Sequence, residues 1–143
     1  MERKLDDKYF INTFDEDTKI YSKKENTLLL IVDEQPRLMN ALENGEEAVL
    51  NTMALIKAFE KYNMPIIATE QYPKGLGSTD DRILEKLDQD NIFEKTIFDA
   101  AIPEVLDFIE RNNIKKVVIT GAEAHICVYQ TTRSLLNLGI DVF

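Results

Sequence analysis

The stretch Leu28-Leu29-Leu30-Ile31-Val32-Asp33 decides how the rest of the chain is read. Five apolar residues run without alternation and stop at a carboxylate. A strand with one wet face would alternate. An unbroken run suits a strand covered on both faces, as in a parallel sheet. Working outward, residues 46–62 carry Val49, Leu50, Met53, Ile56, Ala58 and Phe59 at helical spacing, and Asn63 is the stop. Residues 65–69 read as a second strand. Residues 71–81, rich in Gly, Pro and Ser, read as a loop, and 82–87 as a short helix. A brief third strand is placed at 95–98. A helix follows at 103–112, with Pro103 in its first turn, then a fourth strand at 116–120 ending at Gly121. Residues 126–138 form the next helix, Gly139 fits its C-terminal cap, and 140–143 open a fifth strand.

Strands alternating with helices predict an α/β fold with a mainly parallel sheet. Such folds bind ligands beyond the carboxyl ends of their strands. That rule directs attention to Asp33, to Thr69 and Glu70, to the Lys95 region, and to residues 121–127. Residues 1–26 are mostly charged and polar, with Tyr9, Phe10, Ile11, Phe14, Ile20 and Tyr21 scattered among them, and read as an N-terminal extension to a domain over 27–143.

Composition narrows the function. A chain of 143 residues suits one domain, and 44% hydrophobic residues suffice for a core. A net charge of −9 disfavours nucleic-acid backbones and anionic membranes as partners. One Cys excludes an internal disulfide framework and a multi-cysteine zinc site, and one His excludes a multi-histidine centre. No apolar signal segment opens the chain and no run approaches a membrane span, which with the lone thiol points to a cytoplasmic compartment.

Each candidate at the strand ends has a chemical reading and a plainer one. Asp33, half-desolvated at the sheet rim, suits a general base, or a cap on the following turn. Cys127, at a strand–helix junction, suits a thiolate nucleophile favoured by the helix dipole, or a buried structural thiol. Lys95 suits an ammonium that holds Asp33 ionised, or a solvated edge lysine. His125 and Cys127 are two residues apart, so their side chains point apart on a tight turn, and His125 reads as a pocket or interface residue. Glu123 reads as a turn carboxylate, buried on backbone or solvated. A nucleophile, a base and a group that tunes the base are all present.

Three ordered segments carry a resemblance: Leu29-Leu30-Ile31-Val32-Asp33-Glu34-Gln35, Phe93-Glu94-Lys95-Thr96-Ile97-Phe98, and residues 118–132 with Gly121, Cys127-Val128 and Thr131-Thr132. Residues 69–77 add a matching loop. With these the sequence resembles the isochorismatase-like cysteine hydrolases over about residues 27–143. The resemblance implies a Rossmann-like three-layer α/β/α fold, truncated at the C-terminus because family members continue into a further helix and strand. It implies a catalytic triad of Asp33, Lys95 and Cys127, with the thiolate attacking a carbonyl or nitrile carbon to give a thioester-type intermediate. It also implies an oxyanion turn at Ala122, Glu123 and Cys127 with a cis Ala122–Glu123 peptide, and pocket residues Glu70, Gln71 and His125. The partner would be a small-molecule substrate, with no cofactor, no nucleic acid and no membrane, in a homo-oligomer. Residues 69–82 lack His, so the metal site of the nicotinamidase branch is not expected, and Cys127 sets the chain apart from the cysteine-free branch that cleaves isochorismate. The competing readings are a catalytically silent module for oligomerisation or binding, and a nucleotide-binding domain. The second lacks any G-x-G-x-x-G or G-x-x-x-x-G-K-[ST] motif.

Overall fold

The structure is a computed structural model that describes residues 26–143; the extension read over residues 1–26 lies, Asn26 excepted, outside the described residues. Its centre is a five-stranded, all-parallel sheet: β1 (Thr27–Val32), β2 (Ile66–Gln71), β3 (Ile92–Lys95), β4 (Lys116–Gly121) and β5 (Asp141–Val142). The spatial order is β3-β2-β1-β4-β5. β1 is therefore the central strand, which is why it reads as an unbroken apolar run. Leu28 to Val32 are fully buried, and each such side chain contributes about 1.5–3 kcal/mol.

Period-2 alternation divides the core into two layers. Leu28, Leu30, Val32, Ile67 and Val117 pack beneath α2 (Pro103–Arg111) and α3 (Tyr129–Asn137). Leu29, Ile31, Ile66 and Ala68 pack beneath α1 (Gly45–Lys61), which contributes Val49, Ile56 and Phe59. Helices on both faces of a parallel sheet make the three-layer α/β/α arrangement expected from the sequence.

The differences from the sequence reading lie in the connections. The apolar pair Ile97 and Phe98 is not in a strand. Both side chains are about half exposed, and β3 ends at Lys95 instead of beginning there. The 71–81 loop contains a single helical turn, Pro73–Leu76, and a second turn covers Asp81–Leu84. The helix expected from residue 126 is preceded by a π-type turn over Ala124–Val128, which holds Cys127. Gly139 follows α3 with φ +80, the left-handed conformation that suits glycine after a helix end.

Candidate active site

The strands end in a row of polar residues, and the backbone decides which layer each one enters. Continued alternation would send Asp33 beneath α1, opposite Val32. Asp33 instead takes φ 55, a left-handed value that Asp tolerates better than most residues. Its carboxylate turns towards β2 and β3, where Oδ1 accepts from Thr69 Oγ1 at 2.9 Å. Glu34 takes the opposite side, where Oε2 accepts from Thr52 Oγ1 of α1 at 2.8 Å and Thr120 Oγ1 of β4 at 2.6 Å. Burial pushes the Glu34 carboxyl above its usual range, opposed by those two hydroxyls.

Lys95 and Asp33 form a buried ion pair. Nζ lies 2.7 Å from Asp33 Oδ2, with the two side chains 0% and 2% exposed. An ammonium has three protons, and here all three have acceptors: Gln71 Oε1 at 2.7 Å, Ile97 O at 2.9 Å and Phe98 O at 3.0 Å. Asp33 Oδ2 thus feels the positive charge closely yet receives no directed hydrogen bond from the described residues. The end of β3 at Lys95 is what makes the pair possible, because it aligns Lys95 with Gln71 at the carboxyl rim.

Cys127 completes the cluster. It is 3% exposed and belongs to the same core layer as Val32. Burial is the largest influence on its thiol, pushing it up to about 12; the negative charges of Asp33 and Glu123 act in the same direction, and Lys95 opposes them. Burial and the nearby Asp33 charge thus favour the neutral thiol. Desolvation and the Asp33 charge oppose the favouring of a thiolate that the helix dipole offers.

The structure brings Asp33, Lys95 and Cys127 together, and the other expected residues divide. Among the described residues no peptide bond is cis, so the expected cis Ala122–Glu123 bond is absent; the turn is made by a left-handed Glu123, φ 54. Ala122 is buried and Glu123 partly so. His125 is exposed and is not among the groups acting on the thiol. Glu70 is buried as a loop clamp, its Oε2 accepting from Thr79 N at 2.7 Å and Thr79 Oγ1 at 2.8 Å. Gln71 orients Lys95, and because lysine only donates, its Oε1 must face Nζ.

Gln35 is a residue whose role sequence reasoning missed. Fully buried, it donates through Nε2 to Gln71 O at 2.9 Å and Gly77 O at 2.7 Å, and accepts from Gln71 N at 2.7 Å. It thereby fixes the loop that leaves β2 against the end of β1. The available signal was three consecutive polar residues, 33–35, directly after a buried strand. Close approach at the rim also explains Gly121, where a Cβ would lie 2.5 Å from Val32 O. No group of three or more His, Cys, Asp or Glu among the described residues is arranged to hold a metal ion. No helix among them is long and apolar enough to cross a membrane.

Comparison with known proteins finds relatives for the chain. Isochorismatase family protein 1A of Dictyostelium discoideum is 39% identical over 121 residues, covering 81% of this chain and 59% of that protein. Isochorismatase domain-containing protein 2 of Xenopus laevis is 30% identical, covering 83% of this chain and 58% of that one. Among solved structures, the MAR1 ribonuclease of Caenorhabditis elegans superposes with a TM-score of 0.78 at 36% identity, covering 84% of this chain and 62% of that one. YcaC of Pseudomonas aeruginosa, with hexane-2,5-diol and covalent acrylamide, gives a TM-score of 0.78 at 25% identity, covering 85% and 62%. The chain thus spans about three-fifths of the length of these relatives. Residues 27–143 match the Isochorismatase domain. With the parallel sheet and the rim that carries Asp33, Lys95 and Cys127, that match makes the chain a member of the isochorismatase family.

Proposed function

We propose that this chain is the hydrolytic core of a cysteine hydrolase that cleaves a small amide or related C–N bond. The observation that carries the reading is the open Oδ2 of Asp33, held beside the Lys95 ammonium, with the single cysteine of the chain near enough for the Asp33 charge to act on its thiol. The proton of a neutral thiol passes to Asp33 Oδ2 as sulfur attacks the carbonyl carbon. Negative charge moves onto the carbonyl oxygen, which the backbone N–H groups of Glu123 and Cys127 stabilise, since the first turn of a helix leaves such donors free. Collapse breaks the C–N bond, the leaving nitrogen takes the proton from Asp33, and a thioester remains on Cys127. Asp33 then takes a proton from water as the water oxygen attacks the thioester. The released carboxylic acid and the restored thiol close the cycle. Lys95 keeps Asp33 oriented and balances its charge throughout.

The substrate in this reading is a small molecule. The ribonuclease name of the C. elegans neighbour does not transfer readily, because a net charge of −9 opposes binding to a phosphate backbone. The second reading, a silent binding module, draws on the burial of Cys127, which is 3% exposed: burial pushes its thiol up to about 12 and makes it a poor spontaneous nucleophile. A panel of small amides separates the two, with Cys127→Ala as control. The hydrolase reading expects turnover that the variant lacks while its circular dichroism and unfolding midpoint are kept. Turnover surviving in the variant removes Cys127 as nucleophile. Absence of turnover in the parent chain, together with no adduct on prolonged exposure to acrylamide, supports the silent module.

A further inference from the structure

Loop residues 96–101 and the turn that holds Cys127 come from distant parts of the chain, yet one buried hydroxyl joins them. Thr131, in the first turn of α3, is 0% exposed. Its Oγ1 donates to Cys127 O at 2.6 Å and accepts from Ala100 N at 2.8 Å. The first bond alone would be ordinary, because helical Thr commonly bonds back to the carbonyl four residues earlier. The second is different: it spans 31 residues and ends in the loop whose Ile97 and Phe98 carbonyls hold the Lys95 ammonium. A second link lies one helical turn further on, where Ser134 Oγ donates to Asp99 Oδ2 and Asp99 Oδ1 accepts from Ala101 N.

We propose that Thr131 is a positioning residue, whose single hydroxyl sets the placement of the Cys127 turn relative to the loop that orients Lys95. This rests on the reading of Cys127 and Lys95 as the reacting groups. Its one proton goes to the cysteine turn and one of its two lone pairs to the lysine loop, within a layer where Ala100, Cys127 and Leu135 already pack together. Valine has nearly the same shape but offers neither bond. Thr131→Val would therefore free the two segments to separate and let water reach the thiol. Serine keeps the hydroxyl and loses only a methyl group.

The test compares Thr131→Val and Thr131→Ser with the parent chain by the pH profile of Cys127 alkylation with iodoacetamide, with turnover measured on any amide found to be a substrate. With Asp33, Lys95 and Glu123 the charged groups acting on the sulfur, loss of the tie weakens both burial and the action of the Asp33 charge on the thiol. The Val variant should alkylate about tenfold faster near pH 8, equivalent to one unit off the thiol's midpoint. Its kcat should fall at least about tenfold with KM little changed, and the Ser variant should match the parent in each measurement. A Val variant that only unfolds more easily while keeping the parent alkylation profile overturns the proposal, as does a Ser variant that behaves like Val. If Thr131→Val does not fold, a Ser variant whose alkylation profile departs from the parent's still overturns the proposal. If the parent chain shows neither turnover nor an acrylamide adduct, the hydrolase reading fails, while the iodoacetamide profiles still decide whether Thr131 positions the thiol.

Discussion

Replacing Lys95 by Met should be among the most damaging single changes in this chain, and the structure says by how much. At 2.7 Å from Asp33 Oδ2, two unit charges attract by about 6 kcal/mol at an effective dielectric of about 20. The cost of burying both charges offsets much of that attraction. Removing one partner is a different matter, because the other charge stays buried and unpaired, a loss of about 3–5 kcal/mol. Lys95→Met also strands Gln71 Oε1, Ile97 O and Phe98 O, each of which now accepts from Nζ. Asp33→Asn should cost less, about 1–3 kcal/mol, since the ammonium keeps its three acceptors. In the double variant no charge is left alone, so its loss should fall short of the sum of the single losses by about 2 kcal/mol or more. Equilibrium urea unfolding followed by circular dichroism measures all three corners against the parent. Losses that add within about 0.5 kcal/mol would show that the two groups do not interact as a buried pair. A Lys95→Met loss below about 1 kcal/mol would refute the burial argument itself.

Three further outcomes follow from the same rim. Asp33→Asn removes a charge that raises the Cys127 thiol, so the midpoint of the alkylation pH profile should fall below the parent's while, under the proposed mechanism, turnover is lost; an unchanged or higher midpoint would contradict the action of the Asp33 charge on the thiol. Glu34→Gln tests the buried carboxyl beneath α1. Because burial raises its folded value above the ordinary 4.5, its share of stability is complete below that value and is lost as pH climbs through the folded value. The variant's melting temperature minus that of the parent should therefore grow more positive from about pH 4 to about pH 8, and a flat difference would mean the carboxyl is not disfavoured when charged. Gly121→Ala places a methyl group 2.5 Å from Val32 O, which forces β1 and β4 apart and should cost about 1–3 kcal/mol in urea unfolding; an unchanged midpoint would mean that the rim spreads freely.

Much of the fold was legible because burial leaves a periodic trace along each segment. The run 28–32 marked the central strand, the spacing of Val49, Ile56 and Phe59 marked α1, and each strand–helix alternation added to the parallel reading. Errors arose where an apolar pair served something other than the core. Ile97 and Phe98 look like a strand, but their carbonyls are what the structure uses, to hold Lys95. A carbonyl's role has no counterpart in side-chain pattern. The π-type turn at 124–128 was likewise invisible, since widening one turn alters hydrogen-bond register without altering composition.

The sequence by itself determined the architecture and the search window: a parallel sheet with Asp33, Lys95 and Cys127 near its strand ends. Only the tertiary structure decided which side chain enters which layer and what it meets there. A left-handed φ at Asp33 reverses the pleat, so Asp33 joins Lys95 while Glu34 crosses to α1. Gln71 became a lysine ligand and Glu70 a loop clamp, and Thr131 joined two segments 31 residues apart. Hydrophobic period is a property of one segment and can be read along it. Hydrogen bonds and ion pairs at the rim join segments that meet only in three dimensions, and their partners are fixed by strand register and turn geometry.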